Sequence, residues 1–320
     1  MFTQNIDPVI VKFTIPIINF EAQLRYYGIL FGLGILTAYF ISRSFFRKWG
    51  YKDEIIDKLL LYLVFFIVIT AHLVHLIFYE PSAFTNPDRW HRIYEVGMGL
   101  ASHGGFLGGL IGLWVFKKVH PEYDIPYLKY ADILFVGGSV FPAFVRTGNF
   151  FNSEIYGRAT DVPWAVVFLR RDSIPRHPSQ IYEMIVGIII FIIIYKFYKK
   201  NYRRVKYGTV TTMFIVLYFT TRFFLEYFKE YQFLSPSFPL TMGQLLSIPL
   251  IIIGLYILFV KKYYQLLPDE LPLAEGPGAV SSENELNENL QETQFNEKNG
   301  NKIKKNKNLK KNKKNGKKKK

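Results

Sequence analysis

Residues 146–158 read RTGNFFNSEIYGR, directly after an apolar run from Tyr130 to Val145. The stretch gathers Arg146, Asn149, Asn152, Glu154 and Gly157 within a few turns of chain. Further on, Arg222 and Glu226 stand four residues apart, on one face of any helix that contains them. A guanidinium is a planar fork of donors that fits a phosphate at two points, and side-chain amides add donors beside it. Two arginines with Asn149 and Asn152 therefore suit an anionic phosphate group. His103 and Tyr27 are the other polar side chains of chemical interest, each near the start of an apolar run.

These residues are carried by unusually apolar elements. Half of the 320 residues are hydrophobic and 18% are aromatic. Apolar windows recur seven times, at about 24–42, 57–78, 97–116, 130–146, 180–198, 208–226 and 240–260. Each is long enough to cross a hydrocarbon layer of about 30 Å as a helix. Backbone groups in lipid must be satisfied within the element, and strand-like alternation is absent, so the windows predict helices. The expected fold is an all-α polytopic membrane protein, a bundle of seven transmembrane helices in one domain, residues 1–265. After it, residues 266–320 are rich in Pro, Gly, Ser, Glu and Asn and end in a lysine run, the composition of a disordered tail.

Charge placement sets the expected orientation. The net charge is +15, and 29 of the 40 Lys and Arg follow windows 1, 3 and 5 or lie in the tail. The positive-inside rule then puts the N-terminus outside and the C-terminus in the cytoplasm. Met1–Gln23 lacks the basic start and small-residue cleavage site of a signal peptide and is expected to stay attached at the membrane surface. The tail reads as a solvated segment able to touch anionic lipid, with no folded element that would suggest nucleic acid as a partner.

In this orientation Tyr27, His103, Arg146, Asn149, Asn152, Glu154, Gln180, Glu183, Arg222, Glu226 and Gln244 all fall near the outer face. Ionisable groups in membrane segments are costly and point to function. An ion pair could explain Arg222 with Glu226, and interfacial snorkelling could explain Arg146. Their convergence from several helices points instead to a shared site for a phosphate above apolar walls, the surroundings of a phospholipid headgroup.

Other chemistries have weaker support. With no cysteine the chain has no disulfide, thiolate metal site or cysteine nucleophile. His72 and His75 have HxxH spacing without a nearby acidic partner, so no metal is expected, and no cofactor motif is present. Glycines 104, 108 and 112 repeat every four residues and predict close helix packing. A lipid transporter or flippase is the competing class, although such proteins usually hold their site near the membrane midplane. A scaffolding protein leaves the polar convergence unexplained.

The segment RTGNFFNSEIYGR resembles the signature of the prolipoprotein diacylglyceryl transferases, bacterial membrane enzymes of lipoprotein maturation. Further matches follow in order: YYG at 26–28, SHGGFLGG at 102–109, RHPSQIYE at 176–183, RFFLEYF at 222–228 and MGQLLSIP at 242–249. The resemblance implies seven transmembrane helices in the cytoplasmic (inner) membrane and a site open to the outer face. It implies that the diacylglyceryl group of phosphatidylglycerol moves to the lipobox cysteine thiol of a prolipoprotein. By the same resemblance Arg146 and Arg222 act on the lipid phosphate, and His103 and Tyr27 join them as catalytic residues. Asn149, Asn152, Glu154, Gly157 and Glu226 belong to substrate binding. Three positions depart from the family pattern: Val145 stands where glycine is usual, and His72 and Lys229 stand where arginine is usual.

Overall fold

The computed structural model describes residues 2–15, 20–94, 101–230 and 239–280. The chain opens with three short strands: β1 (Phe2–Gln4), β2 (Val9–Ile15) and β3 (Phe20–Arg25). Helices α1 (Tyr26–Lys48) and α2 (Asp53–Tyr79) follow, then the short α3 (Ser82–Thr85) and α4 (His91–Tyr94). Next come α5 (Ser102–Val119), α6 (Tyr127–Gly138) and α7 (Phe141–Phe151), and the strands β4 (Val166–Phe168) and β5 (Pro175–Arg176). The last helices are α8 (Ser179–Asn201), α9 (Thr209–Leu225) and α10 (Met242–Leu255), with a single π turn at Tyr256–Val260. Two compact units result, one of residues 1–42 and 125–272 and one of 43–124 and 273 onward.

In the first unit, α6 and α7 meet at a bend of 40°, with Pro142 in the first turn of α7. A proline is tolerated there because the first amides of a helix have no intrahelical partner anyway. The start of α9 is capped from another element. Asp132 of α6 accepts hydrogen bonds from Gly208 N (2.7 Å), Thr211 N (2.8 Å) and Thr211 Oγ1 (2.8 Å). A carboxylate at a helix N-terminus meets orphan donors and the positive end of the dipole, so burying Asp132 is offset. Gly208, at φ +95°, makes the turn into α9.

The strands in this unit depart from the all-α expectation. β1 pairs parallel with β4, β4 pairs antiparallel with β5, and β2 and β3 form a hairpin leading straight into α1. Four of the five lie outside the apolar windows, and β3 overlaps the first window only at residues 24 and 25. β2 reads VIVKFTI, a run rich in β-branched residues, but prolines on both sides obscured it.

In the second unit α2 and α5 pack along the glycine repeat. A Cβ on Gly104 would lie 2.5 Å from the Thr70 carbonyl, one on Gly108 would strike the Phe66 carbonyl, and one on Gly112 would sit 3.1 Å from that of Tyr62. Gly105 and Gly109 meet only the Ile67 side chain, at ordinary distances. His72 Nε2 lies 3.2 Å from the Arg92 carbonyl and His75 Nε2 3.2 Å from Glu80, which Arg92 also grips at 2.8 Å. The Arg92 and His75 hydrogen bonds hold the Glu80 carboxyl down at about 2. The core of this unit is Phe45, Phe46, Trp49, Ile55, Leu59 and Phe116, all fully buried.

Residues 266–280, expected to begin a disordered tail, follow a defined path. Leu267 N and Leu271 N donate to the Arg204 and Arg203 carbonyls in the first unit. In the second, Ala274 N donates to Trp49 O, and Val280 N to Gly50 O. Apolar side chains at 266, 267, 271 and 273 interrupt the polar run there, a signal that overall composition averages away. The remainder of the expected tail, 281–320, lies outside the described residues.

Helices α1, α2, α8 and the continuous Met242–Val260 are long and apolar enough to cross a membrane, and the bent α6–α7 pair adds a fifth. Their apolar residues are largely exposed, Phe40, Phe65, Ile189 and Ile252 among them, as expected of surfaces that meet lipid. This is a membrane-embedded, mainly helical protein. The other two predicted windows are α5, 18 residues diluted by glycine and ending in Lys117 and Lys118, and α9, 17 residues.

The glycine contacts give a direct test. Gly108→Ala should destabilise the protein by about 1–3 kcal/mol, because a methyl group must displace backbone. Gly105→Ala should be neutral or slightly stabilising. Thermal unfolding in detergent compares the two, and equal midpoints would contradict this packing.

Candidate functional site

The site lies in the first unit, where one end of each of several helices meets. The end of α7 supplies Arg146 and Asn149, the start of α8 supplies Gln180 and Glu183, and the end of α9 supplies Arg222. The single turn Glu226–Phe228 continues from α9, and Thr241 begins α10 with a capping box to Gln244. Within this unit these polar groups come together.

Their charges form a chain. Arg146 Nε lies 2.9 Å from Glu183 Oε2, and Lys229 Nζ lies 2.7 Å from Glu183 Oε1. Lys229 also contacts Glu226 Oε1 at 3.2 Å, and Arg222 Nη2 contacts the same oxygen at 3.6 Å. Side-chain exposure is 6% for Lys229, 8% for Glu183 and 9% for Glu226, against 30% for Arg222. The two arginines thus sit at the ends of the chain, and the better-buried Glu–Lys–Glu segment joins them. The Arg146–Glu183 contact is close in distance but poorly aimed, and Glu183 Oε2 has no well-directed hydrogen bond. Arg146 is held by charge and is not locked in a bidentate fork, so its guanidinium retains donors for another anion.

Arg146, Glu183 and Arg222 line one open pocket between α7, α8 and α9. Val186, Ile190 and Leu225 give it apolar walls, and Tyr218 reaches it from α9. A phosphate carrying apolar chains matches this combination of two cations and a greasy wall.

The signature turn after α7 is strained and firmly held. Ser153 (φ +55°) and Ile155 (φ +54°) both adopt left-handed backbone, which is costly for a β-branched residue. Ser179 Oγ donates to Ile155 O at 2.8 Å, and Gln180 Nε2 to Glu154 O at 2.6 Å. From β1, Gln4 Nε2 donates to the Phe150 and Phe151 carbonyls, and Ser153 Oγ donates to Gln4 Oε1. The N-terminal strand therefore braces the end of α7. Such strain persists only where the surroundings over-determine it, and it favours a functional role.

Within this turn Arg146 Nη1 donates to Asn149 Oδ1 at 3.3 Å, and Asn149 and Asn152 donate to Glu154 at 3.4 and 3.3 Å. Asn152 Oδ1 and Gln180 Oε1 are buried without a partner and remain available as acceptors. Gly157 is pressed between the His177 and Phe228 backbones, where a Cβ would come 2.7 Å from the His177 carbonyl. Only glycine lets the chain pass there. Tyr27 of α1 packs its ring on Gly148.

Eight of the nine sequence-predicted site residues fall into this assembly: Arg146, Asn149, Asn152, Glu154, Gly157, Arg222 and Glu226, with Tyr27 against its edge. His103 belongs to the first turn of α5, in the second unit, and its side chain lies outside the described ones. Lys229, Tyr218 and Thr241 were not predicted as site residues, and Glu183 was expected near the site without a role of its own. Thr241 Oγ1 donates to Glu226 at 3.3 Å, and Lys229 couples the two glutamates. Four charged residues near two helix ends were the available signal, but which cation meets which carboxylate depends on tertiary contacts.

A family model described as prolipoprotein diacylglyceryl transferase matches residues 15–260. Among curated proteins, a phosphatidylglycerol–prolipoprotein diacylglyceryl transferase of Bacteroides fragilis is 37% identical over 253 residues, 75% of this chain and 90% of its own. Transferases of the same name from Tolumonas auensis and Oleidesulfovibrio alaskensis are each 36% identical. They cover 82% and 78% of this chain, and 98% and 91% of their own lengths. The matched region contains the whole charge chain, the strained turn and the pocket between α7, α8 and α9, and the chain belongs to the prolipoprotein diacylglyceryl transferase family.

Proposed function

We propose that this protein is a membrane transferase that moves the diacylglyceryl group of phosphatidylglycerol to the lipobox cysteine thiol of prolipoproteins. The observation that carries the reading is the pairing of Arg146 and Arg222 on one apolar-walled pocket, in a chain of this family. In the reaction a thiolate attacks the diacylglyceryl carbon next to the phosphate. The carbon–sulfur bond forms, the carbon–oxygen bond breaks and glycerol phosphate leaves. Arg146 and Arg222 stabilise the charge that grows on the departing phosphate. Asn149, Asn152 and Glu154 position the headgroup, and Gly157 and Glu226 keep the turn and Arg222 in place. His103 is assigned the removal of the thiol proton, and Tyr27 supports the end of α7 through its packing on Gly148.

The proposed setting is the bacterial cytoplasmic membrane, with seven spans: α1, α2, α5, the bent α6–α7 pair, α8, α9 and Met242–Val260. The N-terminus and the pocket face outward, and the Lys/Arg-rich segments and C-terminal tail face the cytoplasm. Residues 1–265 form the catalytic domain in this reading. The flippase alternative finds no support in a pocket placed at one set of helix ends.

The test is purified protein with phosphatidylglycerol and a lipobox peptide, read by mass spectrometry. A diacylglyceryl increment on the cysteine is expected; lipid movement without covalent transfer would overturn the reading. Arg146→Lys and Arg146→Ala should each lower the rate by about 10²–10³, since lysine keeps the charge without the planar fork. Full-rate transfer by folded Arg146→Ala would remove the proposed role.

A further inference from the structure

Lys229 touches neither wall of the pocket, yet it is the best-buried cation of the site, wedged between two carboxylates. Its neighbours show what it does. Glu183 faces Arg146 on one side and Lys229 on the other, and Glu226 faces Lys229 and Arg222 in the same way. The linked group holds three cations and two anions, a net charge of +1. Without Lys229 it would be neutral: each glutamate would have only its arginine, and the charge of both arginines would be fully balanced. A phosphodiester carries one negative charge. Bringing it into a neutral, largely buried group leaves one charge uncompensated, which low-dielectric surroundings penalise.

The other charged side chains near the group are directed to partners other than its side chains. Glu154 is exposed and its carboxylate is turned to the amides of Asn149 and Asn152. Arg176 is engaged by Asp172 at 2.7 Å and by Glu230 at 3.2 Å. Arg158 Nε is directed to the Lys229 carbonyl at 2.7 Å.

We infer that Lys229 is a specificity-determining positioning residue, which frees Arg146 and Arg222 for one monoanionic phosphodiester by neutralising the inner sides of Glu183 and Glu226. The inference rests on the transferase reading and adds to it a reason why the site takes up a phosphodiester anion. Lys229 acts through the glutamates and makes no contact with the lipid. Its effect therefore belongs to donor capture more than to the chemical step, and it depends on net charge, not on lysine itself.

The test is the KM and kcat for phosphatidylglycerol in mixed micelles at fixed salt, for full-length Lys229→Met, Lys229→Arg and the double variant Lys229→Met/Glu183→Gln. Lys229→Met should raise KM by about tenfold or more, with kcat changed by less than about threefold. Lys229→Arg should stay close to the unmutated protein. The double variant restores the net charge of +1 and should recover most of the lost KM. If Lys229→Met does not accumulate as folded protein, the double variant is compared with the unmutated protein directly, and a KM within about threefold is expected. A folded Lys229→Met with unchanged KM, or a double variant no better than the single one, would overturn the inference. No transfer by the unmutated protein would remove the parent reading and this inference with it. An active parent with charge-insensitive variants would remove the inference alone.

Discussion

A charge buried among apolar helices must be paired, and the site is organised around this constraint. Removing one partner of a buried pair typically costs about 3–5 kcal/mol, because the other charge is left without compensation. Glu183 meets this requirement for Arg146 and Lys229 together, and Glu226 does so for Lys229 and Arg222. The helices must bring their ends to one place for the charges to satisfy each other. The ends of α7 and α9 and the start of α8 are fixed by the same contacts that prepare the pocket.

The backbone around the charges carries strain that these contacts support. Ser153 and Ile155 hold left-handed conformations between the α7 end and the α8 start, and Gly157 threads between two backbones. Gln4 from the N-terminal strand ties off the α7 carbonyls. A loop of this kind holds Asn149, Asn152 and Glu154 in place before any ligand arrives. Preorganised donors are worth more than flexible ones because they need no rearrangement as charge develops.

The helices and the rough location of the site were legible in the sequence, for identifiable reasons. Long apolar windows have few structural solutions in lipid, so α1, α2, α8 and Met242–Val260 follow from hydropathy. The glycine spacing at 104, 108 and 112 predicts the close approach of α5 to α2, which the carbonyl contacts realise. Arg146, Asn149 and Glu154 lie within nine residues of chain, so their meeting is local. The strands were missed because β1 and β4 are three residues each and their pairing spans most of the domain. Lys229 was visible only as an unusual residue, since its bridging role exists only once α8 and α9 are side by side. Residues 266–280 were read as disordered from average composition, whereas four apolar side chains and a few backbone hydrogen bonds give them a path.

The central claim is that Arg146 and Arg222 act as a unit on one phosphate. A double-mutant cycle measures this directly, with Arg146→Ala, Arg222→Ala and both together, using kcat/KM for transfer from phosphatidylglycerol to a lipobox peptide. Groups that share one charge are strongly non-additive, so the double variant should lose far less than the sum of the two single losses, by at least about 1.4 kcal/mol. Losses that add within about 0.5 kcal/mol would mean that the arginines act independently, and would contradict the account.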